Sequence, residues 1–276
     1  MRKYTSRIYL TLMFAILYIP ILTVVLFSFN NTESTAAFSG FSFYWYKELF
    51  KSEEAWIALR NTLILAALSA LISTVIGTAA AEGIYKMKNK YVKTAITSVT
   101  NVPMMNPDIV TGMSMMLFFA VVMATFKISD YNNFGFWAML IAHTTFCLPY
   151  VILSVLPRIN ELGDTLSEAA LDLGCTPFQS FLKVKLPNIM PGVLSGMVMA
   201  FTLSLDDFVI SYFVAPTNFQ TLPLLIYSMT KKTVKPDMYA LSTIIIISVF
   251  LLLMLSNVKS AKKSAPVKKK KKEALK

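Results

Sequence analysis

The chain is poor in the residues that do chemistry: two cysteines, one histidine and nine glycines in 276 residues. Cys147 and Cys175 supply neither a disulfide framework nor a metal-ligand spacing. His143, alone in an apolar stretch, reads as a packed and hydrogen-bonded side chain rather than a ligand. The glycines are scattered, and no GxxxxGK[ST] loop is present to cradle a phosphate. Any ATP used on its behalf is therefore expected to be hydrolysed by another chain. No nucleophile–base constellation stands out either, so the reading is of a non-enzyme with no cofactor and no metal of its own. Charge is also scarce, at 15% of residues against 55% hydrophobic, with a mean hydropathy of +0.59. A soluble domain of this length is not usually so apolar.

What the chain does have is long apolar runs. Six are long enough to cross a bilayer: residues 8–29, 62–83, 109–126, 135–156, 189–215 and 238–256. The expected fold is all-α and polytopic, with six transmembrane helices and no separate soluble domain. Residues 1–7 form a short N-terminal segment, 8–258 the membrane domain and 259–276 a Lys-rich tail. The basic start, Arg2, Lys3 and Arg7, precedes a run too long for a signal peptide, and residues 27–32 offer no small-x-small cleavage pattern. The first span is therefore expected to stay.

Lys and Arg mark the cytoplasmic side. With both termini inside, 19 of the 26 Lys and Arg residues fall on inner segments and seven on outer loops. The tail, including Lys268 to Lys272, directly follows a span. It reads as a cytoplasmic marker that meets anionic lipid, with no nucleic acid partner. The same parity places the loop at 158–188 in the cytoplasm.

That loop carries Glu168-Ala169-Ala170, three residues, Gly174, nine residues, then Val184-Lys185-Leu186-Pro187. The spacing resembles the EAA loop of ABC importer permeases, with Val184 in place of isoleucine. Residues 166–173 read as a short amphipathic helix that Ser167 caps and Gly174 ends in a left-handed turn. Pro177 suits the first turn of a second helix at 178–184, and Pro187 is expected to close it before the membrane. In the family the loop docks on a separate ATPase. The resemblance thus implies a coupling role for Glu168, Ala169, Ala170, Gly174, Leu186 and Pro187.

Three acids lie in the apolar spans. Asp206 and Asp207 are adjacent in the fifth span, where a charged aspartate costs roughly 2.5–3.5 kcal/mol on insertion scales. On one helix they would point about 100° apart, so that one meets a path and the other a neighbouring helix; the sequence does not choose. Asp207 would share a stripe with Ser204 and Ser211. Asp108 follows Pro103 and Pro107 in a stretch of 33 residues between Lys93 and Lys127. A straight helix of that length would reach about 50 Å, beyond a hydrocarbon core of about 30 Å. The prolines should break or kink it, leaving Asp108 at the break. Buried acids without basic residues in the same spans suggest a cationic passenger. Phe146, Tyr150, Phe208 and Tyr212 offer aromatic faces for ammonium groups.

Four segments narrow the resemblance: Met105-Asn106-Pro107-Asp108-Ile109-Val110, His143 to Pro149, Glu168 to Gly174, and Ser204 to Ser211. With Leu222 to Met229 and the early Tyr18-Ile19-Pro20, they resemble the PotC-type permeases of spermidine/putrescine importers, over most of the chain and in order. The resemblance implies a type I ABC importer permease of MetI-like fold in a bacterial inner membrane, carrying polyamines. It implies a second homologous permease, an ATPase dimer holding ATP and Mg, and an extracytoplasmic polyamine-binding protein. The rivals are a permease for another cationic or small solute and a cation-coupled secondary transporter. The first shares the fold; the second would need no ATPase.

Overall fold

The computed structural model describes residues 2–32, 37–127, 131–231, 239–244, 246–247 and 250. These are almost wholly helical: α1 Arg2–Phe27, α2 Tyr44–Lys51, α3 Glu53–Lys86, α4 Lys90–Met105, α5 Asp108–Phe126, α6 Tyr131–Leu162, α7 Thr165–Asp172, α8 Pro177–Ser180, α9 Leu186–Asp206, α10 Val209–Val214 and α11 Leu222–Thr230. A π-helical turn, Phe181–Lys185, joins α8 to α9. Among the described residues the only extended pairing is an isolated bridge between Asn30 and Phe41. Five helical stretches are long and apolar enough to span a membrane. They correspond to the first five expected spans, the fifth only as far as Asp206. The sixth, 238–256, lies mostly outside the described residues, although residues 239–244 are helical.

The chain divides into two compact units, one made of residues 1–57 and 225–276, the other of residues 58–224. In the first, Asn30 organises the turn after α1. Its side-chain oxygen accepts from the Ser39 amide at 2.9 Å, and its carbonyl accepts from the Trp45 indole at 2.8 Å. Phe29, Phe41 and Phe43 stack beside it, with centroids 4.8–5.5 Å apart. Among the described residues much of α1 stays uncovered: Ile8, Leu17 and Leu26 are all well exposed. Such surface suits lipid or another membrane helix.

In the second unit small residues set the helix spacing. A Cβ on Gly77 of α3 would meet Val151 Cγ1 of α6 at 2.7 Å, and one on Gly192 of α9 would meet the Arg158 stem at 2.7 Å. Close approach through glycine is how membrane helices gain packing when the solvent is as apolar as their side chains. The contacts run in opposite order along α6 and α9: Arg158 with Gly192, Val151 with Gly196, the Cys147 thiol donating to the Ala200 carbonyl, His143 with Ser204. The two helices are therefore antiparallel. At the other end of the unit the Thr62 hydroxyl accepts from the Leu222 amide at 2.7 Å.

Two expectations need correcting. The fifth span is not one helix: it stops at Asp206 and restarts at Val209, with Asp207 extended (φ −64°, ψ 121°). In the third, Pro103 lies within α4 and the break comes at Asn106–Pro107. The ring of Pro107 forbids continuation, whereas Pro103, two residues from the end of α4, costs the ladder the one bond its missing N–H would make.

Candidate functional site

The two helix breaks lie side by side. Gly112 of α5 sits under α10, where an added Cβ would meet Phe213 Cδ2 at 2.9 Å and the Val209 carbonyl at 3.3 Å. The Phe119 ring of α5 packs on Phe134 near the start of α6, so α5 runs antiparallel to α6 and parallel to α9 and α10. Asp108 is one turn before Gly112 on the same face. It therefore projects toward the end where α9 stops and α10 begins.

The three acids occupy different environments. The Asp207 side chain is only 6% exposed, and its two oxygens accept from the amides of Ile210 (3.2 Å) and Ser211 (2.8 Å). It caps the start of α10, satisfying donors that no helix can satisfy for itself. Asp108 and Asp206, by contrast, are exposed at the surface of the chain. The expectation of three buried acids is thus corrected to one. Asp207 reaches Ser211 as a cap, not as a neighbour on a continuous helical stripe, because the backbone leaves the helix between them.

His143 is the packed, hydrogen-bonded side chain expected from the sequence. It is 1% exposed; its Nδ1 lies 2.8 Å from Ser204 Oγ, and its Nε2 lies 3.1 Å from Ser211 Oγ and 3.5 Å from Asp207 Oδ2. Ser69 of α3 donates to Ser204 Oγ at 2.8 Å. Ser69, Ser204, His143, Ser211 and Asp207 thus form one buried polar network. It ties α3, α9, α6 and α10 together at the helix break. His143→Leu is expected to strand these buried groups at about 1–3 kcal/mol apiece and to lower the thermal midpoint of the purified protein in detergent. An unchanged midpoint would contradict that role.

The aromatic residues fall into two pairs. Phe146 and Tyr150 meet edge-on at 5.7 Å, with Phe146 buried and Tyr150 half-buried. Phe208 and Tyr212 are tilted at 5.5 Å, and Tyr212 is 48% exposed. Tyr150 and Tyr212 thus keep open surface, whereas Phe146 is packing.

The second cluster is the loop after α6. Gly174 has φ +84°; its amide donates to the Leu171 carbonyl (2.9 Å) and the Cys175 amide to that of Ala170 (3.0 Å). These two bonds close α7 as a Schellman turn, which needs the left-handed residue found there. Thr176 and Gln179 then form a reciprocal capping box, with Pro177 in the first turn of α8. Ser167 is not the cap expected. Asp164 holds that position without a side-chain bond, and the Ser167 carbonyl accepts from Ser180 Oγ at 3.2 Å, joining α7 to α8. Nor does Pro187 close the second helix. Together with Leu186 it opens α9, and the chain is helical from Pro177 to Asp206. A proline in a first turn lacks only an N–H that helix geometry leaves unpaired; the wider π-helical turn before it makes room. Glu168 and Ala169 are exposed and Ala170 is buried. Leu173 (87% exposed) and Phe178 (70%) flank the turn. These two apolar residues were legible as docking candidates, because large exposed apolar side chains beside a turn suit a partner surface. Cys175 in this turn is partly exposed, whereas Cys147 is buried.

Residues 73–260 match the family described as the binding-protein-dependent transport system inner membrane component. The spermidine/putrescine transport system permease protein PotC of Haemophilus influenzae is 36% identical over 255 residues, 92% of this chain and 96% of that one. The putrescine transport system permease protein PotI of Escherichia coli K12 is 37% identical over 238 residues, 86% of this chain and 84% of its own length. The fold resembles a chain from the crystal structure of a bacterial ABC transporter involved in the import of the acidic polysaccharide alginate. The TM-score is 0.74 at 17% identity, over 94% of both chains. A methionine ABC transporter, MetNI, gives a TM-score of 0.59 at 20% identity, over 75% of this chain and 96% of that one. The all-helical, MetI-like permease architecture expected from the sequence is the one found, and the chain belongs to the family of binding-protein-dependent transport system inner membrane components.

Proposed function

We propose that this chain is the permease subunit of an ATP-driven importer for polyamines, spermidine, putrescine or both. The observation that carries the reading is the pair of exposed carboxylates, Asp108 and Asp206, at two adjacent helix breaks. It stands beside 36–37% identity to permeases named for those substrates. An ammonium group beside a carboxylate gains several kcal/mol at intermediate dielectric, before desolvation is subtracted. Two carboxylates spaced across the break suit a passenger with ammonium groups at both ends. Tyr150 and Tyr212 present aromatic faces to the methylene stem or the cation. Both acids are exposed on this chain, so neither pays the full cost of burial when the passenger leaves.

The partners of this reading are a second permease of similar fold, an ATPase dimer seated on α7 and α8, and an extracytoplasmic polyamine-binding protein. Both termini face the cytoplasm. A reporter near Asn160 and one after Lys276 should then read inside, and one near Asn132 outside. Ends reporting on opposite sides would refute this topology. The function is tested by reconstituting the complex and presenting binding protein loaded with spermidine, putrescine, an amino acid or an oxyanion. ATPase stimulation by the polyamine-loaded forms alone is expected. Uptake that persists without the ATPase but collapses with the ion gradient would favour the secondary transporter instead.

A further inference from the structure

Lys185 is the largest fully buried side chain described, 2% exposed, and it stands in the EAA loop beside the membrane. Its Nζ lies 3.0 Å and 2.9 Å from the two carboxylate oxygens of Glu82, in the last turns of α3 and only 12% exposed in its side chain. The same ammonium lies 4.3 Å from the centre of the Tyr85 ring, one turn further along α3, and 3.9 Å from Asp164 Oδ1, just before α7. Lys86 approaches Glu82 from the solvent side at 3.1 Å. One buried cation therefore touches three separate stretches of chain: the end of α3, the entry to α7, and the π-helical turn that leads into α9. Burying a lysine costs far more than packing recovers unless its charge is met, so this arrangement is not an accident of filling space. Nor is it part of the docking face, which is the exposed side of α7 and α8.

We propose that Lys185, through Glu82, is a positioning residue for energy coupling: it locks the α7–α8 pair to the end of α3, so that a displacement imposed on those two helices moves α3 with them. α7 is flanked by Gly163 (φ +67°) and Gly174 (φ +84°), two hinges in the left-handed region, and is held to α8 and the π-helical turn by the Ser180–Ser167 bond and the buried Ala170. Without the lock, a load placed on α7 would be absorbed at the hinges. The proposal rests on the reading of this loop as an ATPase-docking element.

The test uses the reconstituted complex of permeases and ATPase. Lys185→Met or Glu82→Gln alone leaves one buried group unmatched, and either is expected to lower the yield of assembled complex. The double variant removes both charges and is expected to restore assembly. Its uptake per ATP hydrolysed should nevertheless fall about tenfold, within the range of 5–150-fold that coupling between sites typically spans. Spin labels at Val75→Cys and Asp172→Cys, with Cys147 and Cys175 replaced, give a readout that does not depend on the passenger. In the wild-type pairing the label distance should stay the same between nucleotide-free and vanadate-trapped complexes; in the double variant it should change. An assembled double variant with wild-type uptake per ATP and an unchanged label distance would overturn the proposal. A wild-type chain that fails to capture the ATPase would sink the docking reading, and this inference with it.

Discussion

Asp206→Asn is expected to reduce polyamine uptake severely while leaving expression and complex assembly intact. Asp206 is the last residue of α9. A helix C-terminus carries the negative end of the macrodipole, so a carboxylate there weakens the helix by a few tenths to about 1 kcal/mol. Among the described residues Asp206 has no cap bond or ion pair, and it is exposed. Fold stability thus gives no reason for its presence, whereas carboxylate and dipole together attract a cation. Asp207→Asn is expected to behave differently. Asparagine can still cap α10 with its one carbonyl oxygen, but it cannot receive two amides on two carboxylate oxygens while facing His143 Nε2. Its loss should appear first as a lower thermal midpoint and poorer assembly. Asp108, in the first turn of α5, is favoured there by the dipole, so Asp108→Asn should cost some stability as well as uptake. The measurement is labelled spermidine and putrescine uptake, normalised to assembled complex. Wild-type rates in both Asp206→Asn and Asp108→Asn would remove the charge argument for a polyamine passenger.

Gly174→Val is expected to abolish coupled transport with the protein still inserted. Nothing lies within 4 Å of a Cβ built on Gly174, so the substitution meets no steric obstacle. The penalty comes from the backbone: φ +84° is costly for any L residue, by about 1–2 kcal/mol, and worse with a β-branched side chain. The chain relieves it by leaving the left-handed turn. That breaks the two bonds closing α7 and swings Leu173 away from Phe178. Gly174→Asn separates the conformational effect from mere bulk, because asparagine tolerates this region. It should retain most of the uptake. Equal loss in Asn and Val variants, or normal uptake in Val, would contradict the mechanism. ATPase co-purification and uptake together decide it.

How far the sequence reaches is clear from particular residues. Gly174, Pro177 and the apolar runs were legible because each follows a local rule: a glycine where φ is positive, a proline where no N–H is needed, a length that matches a bilayer. The break at Asp206–Asp207 was not. The apolar run resumes directly after the two acids, and no proline or glycine marks a break. What restarts the helix is local, the capture of Asp207 by amides three and four residues further on, and what holds it is tertiary, the approach of His143. The roles of Asp206 and Asp207 could not be divided for the same reason: a 100° rule presumes one helix. Lys185 and Glu82, 103 residues apart, have no local signature at all. A lysine at the membrane edge looks like any topogenic charge until the fold closes around it.

The two thiols give this protein a built-in footprint of its own docking. Cys147 is sealed between α6 and α9, while Cys175 sits half-open in the turn after Gly174. A maleimide therefore has one fast target in the folded chain, in the turn we propose as the ATPase-docking element. Alkylation rate becomes an occupancy gauge that needs no engineered residue. It should be fast on the free permease and slow once the loop is covered, and denaturation should release exactly one further reactive equivalent from Cys147.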